Sequence, residues 1–518
     1  MLLEASLLSR TTARWSAILC LAGAVFLSLS TPAHATDILW NGATTGTLDW
    51  NTGGNWVGGS YPNSSSDRGD LRKDWSSTPT INLSGPVTIN GILFDDTGSS
   101  GDTALIISNG GNAANTMTLA GTTPTISVTA SSLTNSANLL GSGGFTKSGG
   151  GILVLVGSND ITGAVLLSGG TLTLNGAYAL NSGSSVRVDS GSTLRVNNSV
   201  TIAGLNDNSG SGGSVTNTSG GGKTLTVAGS GTYSFSGNIS GNSSTTRIQL
   251  VVSNSATQTL SGDNTLNTGS QSVTSSGGTL LFAKQNSIFQ GLSTGAVAST
   301  GAAASPGISV SSGATLALSV GDSASGYFDA TAIGTFLDGT HMGASSSSAG
   351  FRNNSILGFD TANATGGTFT YSTALANIGS STGIGFAKLG AGTLVLDAAN
   401  TYSGVTQVRS GTLQIGAGST TGSIGSSGDI TVSSGATLAF NRSDTTSTVS
   451  AKITGGGSVV QNGSGGTILD STTSDYSGGT TISSGRLTAK TLGSGAVTIN
   501  GSGVTQLKLS ASTTYSNS

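Results

Sequence analysis

The chain has 518 residues, 83 of them Gly and only 6 Pro, and just 8% are charged. Lys and Arg number 19 against 22 Asp and Glu, a net charge of −3, so no basic surface suited to a nucleic-acid backbone is present. Disordered chains pair high net charge with low apolar content, whereas 35% of this chain is apolar, much of it Val, Ile and Leu in short alternating runs.

In chain order, residues 1–35 read as a signal peptide. Arg10 and Arg14 precede the apolar run Trp15 to Leu29, and Ala33-His34-Ala35 supplies small residues for cleavage before Thr36. The run is too short to be a transmembrane anchor. Cleavage would remove Cys20, the only cysteine, so no disulfide framework is expected. The same cleavage leaves His341 as the one histidine, too few for a catalytic triad or a transition-metal site.

Residues 36–110 form a Trp-rich N-terminal module. Trp40, Trp50, Trp56 and Trp75 are expected to plug the open first rung as a cap, or to serve as stacking platforms for a glycan. Asp67, Asp70 and Asp74 offer carboxylates to Ca²⁺, but Arg68, Arg72 and Lys73 neutralise them, so a solvated loop is expected.

Residues 111–321 carry repeats. Gly151–Leu174 returns without a gap as Gly392–Ile415 and Gly466–Ala489, and loosely as Leu260–Phe282. In the three close copies Leu153, Leu394 and Ile468 each precede a G-x-L leucine (Leu172, Leu413, Leu487) by 19 residues. A shorter unit recurs as Val186–Val196, Ile308–Leu318 and Ile430–Phe440. In Thr412-Leu413-Gln414-Ile415 large apolar side chains alternate with polar ones, the period of a strand with one buried face. One such strand cannot bury that face alone; stacking each unit on the last closes a shared core. Spacings too uneven for a propeller suit a parallel β-solenoid, whose excess residues loop outward. At about 22 residues per rung, roughly 20 rungs would make a monomeric rod on the order of 100 Å long. Arg187, Asp189 and Arg195 share the outward phase of their unit and are the nearest approach to a polysaccharide-lyase site, but Thr431, Ser433 and Ala439 replace them in the sister copy.

Residues 322–371 lose the rhythm and are expected to be an insertion from one rung, with a short helix over Tyr327–Leu337. Residues 372–518 resume the solenoid and break off inside repeat-like sequence.

Gly385 to Gly418, GFAKLGAGTLVLDAANTYSGVTQVRSGTLQIGAG, resembles the autotransporter-associated β-strand repeat, also called the passenger-associated transport repeat. The order K-x-G-x-G-x-L-x-L, N-x-Y-x-G, G-x-L is complete there. Lys147 to Leu174 keeps it with Ile161 in the Tyr place; the third copy has Tyr476, Gln461 for Lys, and one extra residue before Gly466. The resemblance implies an all-β, right-handed parallel β-helix exported to the bacterial surface or beyond. It attaches no catalytic residues to the repeat; the expected partners are the inner-membrane export machinery, an outer-membrane translocator and surface glycans, and no cofactor is expected. The expected function is structural or adhesive. Carbohydrate binding through the Trp-rich module and a solenoid polysaccharide lyase or hydrolase are the alternatives.

Overall fold

A computed structural model describes residues 35–510 apart from breaks at 99–102, 209, 242–244, 266, 268–270, 275–276, 290–307, 339–349, 380, 426–427, 446 and 502–504. Residues 1–34, which hold nearly all of the expected signal peptide, and His341 lie outside the described residues. Within Ala35–Ser518 the chain is a parallel β-solenoid of about 17 turns, fewer than the roughly 20 expected. Stacked at ~4.8 Å, they make a column on the order of 80 Å.

Short strands stack on three faces. The first face begins with Thr36–Leu39, Asp67–Lys73 and Gly91–Asp96, and is carried onward by a sheet from Thr232–Phe235 to Ile453–Thr454. The second face runs from Thr47–Asp49 to Asn238–Ile239 and resumes from Thr368–Tyr371 to Val497–Ile499. The third face is broken: a sheet ends at Asp160–Ile161 and the next starts at Val200–Ile202, so the turn between them has no strand there.

Parallel pairing puts like residues in register, and the apolar ones line the column's interior. Leu153, Leu172 and Leu194 form one such file and Leu394, Leu413 and Leu438 another. All six are fully buried. Each buried leucine contributes about 2 kcal/mol of apolar burial, and a single core cluster extends from Trp40 to Leu492. The expected phase of Thr412–Ile415 is observed: Leu413 and Ile415 are inside, Thr412 and Gln414 half-buried outside.

The G-x-L glycines have a backbone reason. Gly170, Gly411 and Gly485 have φ of 65°, 63° and 64°, a left-handed turn that L side chains rarely adopt. A Cβ at each would collide with the carbonyl oxygen of Gly151, Gly392 and Gly465 respectively, on the preceding turn.

Those contacts correct the third copy. Gly465, not Gly466, is the counterpart of Gly151 and Gly392, and Leu487 is paired with Thr467, not aligned with Ile468. Ile468 is therefore on the outward phase of its strand, and the buried place is held by Thr467. The extra residue lies after Gly466–Leu469, where five steps instead of four lead to the position of Asn400, here Ser474. The copy has also moved by one face. Lys147 and Lys388 are on first-face strands, whereas Ser458–Gln461 stacks on Thr437–Phe440 of the second face and Gly466–Leu469 opens onto the third.

Two other expectations change. The Trp-rich residues are built into the first rungs themselves, since Thr36–Leu39 pairs with Asp67–Lys73 and that strand with Gly91–Asp96. Of the described residues within 322–371, only those up to Asp338 depart from the column. Gly350–Phe351, Ile356–Asp360 and Thr368–Tyr371 pair in register with their neighbours and form an ordinary turn. The helix spans Ala330–Leu337, starting three residues later than expected because the Asp329 side chain caps it by accepting from the Ala332 N–H. Its buried Phe336 meets Phe282 and Phe328 edge-on.

Candidate functional site

Polar side chains recur inside the repeats, and each does the same work. Lys147 and Lys388 are completely buried on inward-facing positions of their strands. The Lys147 ammonium donates to the carbonyls of Ser148 (2.8 Å), Gly149 (2.9 Å) and Gly169 (3.1 Å). Lys388 donates to the equivalent carbonyls of Leu389 (2.9 Å), Gly390 (2.7 Å) and Ser410 (2.9 Å). Three donors meet three acceptors, two on the lysine's own turn and one on the next. Burial pushes both ammonium groups down to about 8, against a weaker opposing pull from Asp360 on Lys388. Both remain charged at neutral pH. Gln461 takes the place in the third copy, where its Nε2 donates to Gly463 (2.9 Å) and its Oε1 has no partner.

The Asn of N-x-Y-x-G spans three turns. Asn400 accepts from the Leu375 N–H (2.8 Å) on the turn before and donates to the Ser423 carbonyl (2.6 Å) on the turn after. Asn159 does the same with Leu139 (2.8 Å) and Ala179 (2.9 Å), and Asn264 of the loose copy with Ile239 (2.7 Å) and Ser287 (3.0 Å). The Tyr four residues before a Thr forms a buried pair: Tyr402 with Thr406 at 2.8 Å, Tyr476 with Thr480 at 2.6 Å. In the first copy apolar Ile161 and Val165, both fully buried, replace the pair together. Burial pushes the Tyr402 phenol up to about 12. The Lys and Asn groups hold carbonyls and N–H groups that a tight turn would otherwise leave unmet, each costing about 1–3 kcal/mol.

The residues singled out from sequence are placed differently. Trp40, Trp50, Trp56 and Trp75 are all buried, 2% exposed or less, so no ring face is offered to a glycan. Trp56 packs edge-on to Trp40 (4.9 Å between ring centres) and Trp50 (4.8 Å), and each indole N–H donates to a backbone carbonyl. Gly69 admits Trp50, whose ring occupies the space a Cβ would need.

Asp67, Asp70 and Asp74 do not converge; among the described residues no three His, Cys, Asp or Glu side chains gather as metal ligands would. Asp70 is paired with Arg72 at 2.6 Å. Burial tends to raise its carboxyl, and the hydrogen bonds and charge of Arg72 more than offset this, leaving it below the usual range. Arg187 and Asp189 form an ion pair at 2.7 Å, with Arg195 on the neighbouring face.

Lys147, Lys388 and Asn400 stood in the sequence only as letters of a motif. Their signal was chemical: a lysine on the apolar phase of a strand, immediately before a Gly-rich turn, is a cation aimed into a core at bare carbonyls.

Comparison with known proteins places these features. The Passenger-associated-transport-repeat family model matches residues 145–174, 386–415 and 459–489. Its third match begins at Val459, in step with the register set by Gly465. An adhesin autotransporter, BmaC of Brucella suis biovar 1 (strain 1330), is 32% identical over 146 residues, 28% of this chain. The matched stretch is 4% of that relative's length. No solved structure matches the chain. The buried Lys, Asn and Tyr clamps are the conspicuous letters of the matched motif, and the chain carries the passenger-associated transport repeat in three copies.

Proposed function

We propose that this chain is an exported β-solenoid of the bacterial surface or its surroundings, an autotransporter-type passenger that is adhesive or structural and does not catalyse a reaction. The observation that carries this is the use of its interior polar groups. Lys147, Lys388, Asn159 and Asn400 are committed to backbone partners on neighbouring turns, so the motif that repeats builds the column. Likeness to a segment of an autotransporter adhesin supports the surface location and the adhesive role. The inner-membrane export machinery and an outer-membrane translocator are the partners this reading requires.

Antibody labelling of intact native cells, with and without the gene, tests it. Surface label and loss of attachment in the deletion strain are expected. Label confined to the cytoplasm overturns export, and unchanged attachment overturns adhesion. Release of unsaturated sugars from uronate polymers by the purified chain overturns the non-catalytic reading.

A further inference from the structure

The break in the third face leaves a cleft between Asp160–Ile161 and Val200–Ile202. The turn that lacks a strand runs as a loop through residues 176–184, and the cleft beside it has a volume of about 410 Å³, lined by Tyr178, Asn181, Ser182, Thr201, Thr224 and Thr226 among others. That volume falls within the range of small-molecule sites. The lining includes no charged side chain.

Tyr178 is the unusual member. The residue is 71% exposed, and it is the one aromatic among the exposed large apolar residues that are described. The backbone that carries it is nevertheless fixed. The Asn159 N–H donates to the Tyr178 carbonyl (2.9 Å), and Asn159 Nδ2 donates to the next carbonyl, that of Ala179 (2.9 Å). Asn181 donates to Asp160 (2.7 Å) and accepts from the Gly183 N–H (2.7 Å), while Ala179 and Leu180 are buried beneath. The repeat's own Asn clamp thus anchors the backbone from which an exposed aromatic ring stands at the mouth of a hydroxyl-lined cleft.

We propose that this cleft binds a neutral oligosaccharide, with Tyr178 stacking on the C–H face of one sugar and Ser182, Thr201 and Thr226 exchanging hydrogen bonds with its hydroxyls. A hydroxyl both donates and accepts, which matches sugar hydroxyls in either sense. A rigid ring with a polar tip gives contact area at small entropic cost. The absence of lining charge disfavours uronates and sialylated chains, which would carry a carboxylate into a site with no cation. This inference deepens the adhesive reading above and depends on it.

The test is binding of the purified full chain to an array of neutral, uronate-containing and sialylated oligosaccharides, repeated with Tyr178→Ala, Tyr178→Phe and Thr201→Val. Neutral glycans should bind, Tyr178→Ala should weaken them by about tenfold, and Tyr178→Phe should stay within about twofold of the parent. Thr201→Val should weaken binding without changing the circular dichroism. No neutral glycan bound, binding only of charged glycans, or equal binding by Tyr178→Ala overturns the proposal. Failure here with surface label and attachment intact leaves the adhesive reading standing on another surface; cytoplasmic label removes that reading whatever the array shows.

Discussion

The Lys388 ammonium donates to the carbonyl of Ser410 at 2.9 Å, so a charge on one turn of the column holds the backbone of the next. Lys388→Met should leave three carbonyl oxygens without this donor, partly offset by no longer burying a charge, for a net cost of about 2–3 kcal/mol. Lys388→Gln should cost roughly half as much, because Gln461 already fills this place in the third copy with one hydrogen bond. Urea unfolding of the two variants checks the order.

The two lysines also make stability depend on pH. In the unfolded chain each keeps its proton to the ordinary 10.5, whereas folded Lys147 and Lys388 release theirs at about 8. Between these values the unfolded state binds more protons, so stability rises with pH, each lysine adding up to about 1.4 kcal/mol per pH unit. Below pH 8 both states are protonated and the lysines give no slope. Urea midpoints measured from pH 7 to 10 should climb above 8, and the climb should vanish in the Lys147→Gln, Lys388→Gln double variant.

Leu413 is fully buried and its neighbour Gln414 half-exposed. Leu413→Asp should cost several kcal/mol, from a buried unpaired charge and about 2 kcal/mol of lost apolar burial. Gln414→Asp should stay within about 0.5 kcal/mol. Turns contact mainly their neighbours, so limited proteolysis of Leu413→Asp should cut within residues 390–440 while Leu172 and its surroundings stay protected.

The Tyr402–Thr406 pair is predicted to be worth little as a pair and much if broken. Tyr402→Phe should leave the Thr406 hydroxyl buried without its partner and cost about 1–2 kcal/mol. Tyr402→Phe with Thr406→Val should recover most of that, since Ile161 and Val165 already fill the same places with hydrocarbon. Thermal melts of the single and double variants measure the recovery.

The strand phase was legible because alternation reports one buried face, and Leu413 shows it directly. The parallel stacking followed from repetition: a unit that recurs must meet its own copy. What sequence could not show was where an inserted residue goes. Gly465-Gly466 offers two glycines for one place, and the register decides between them: a Cβ at Gly485 would meet the Gly465 carbonyl, and Thr467 pairs with Leu487. The Trp rings offered two readings, cap or glycan platform, and their burial favours the first. Aromatic side chains serve equally as platforms and as filling, and Gly69, which opens the space for Trp50, lies on a different strand, Asp67–Lys73. The cleft at Tyr178 was illegible because it exists through a missing strand, and no residue type marks an absence.

The third copy of the repeat starts one face later than the first two, on the second-face strand Ser458–Gln461 that follows Ile453–Thr454 of the first face. A repeat that stacks equally well from either corner has no fixed address around the axis. Gene duplication can therefore lengthen such a protein by one strand as readily as by a whole turn, and the number of motif copies need not keep count of the turns. Each such slip also turns the outward residues of every later copy through one corner. Surface patterns then drift around the column over generations while the interior files stay in line.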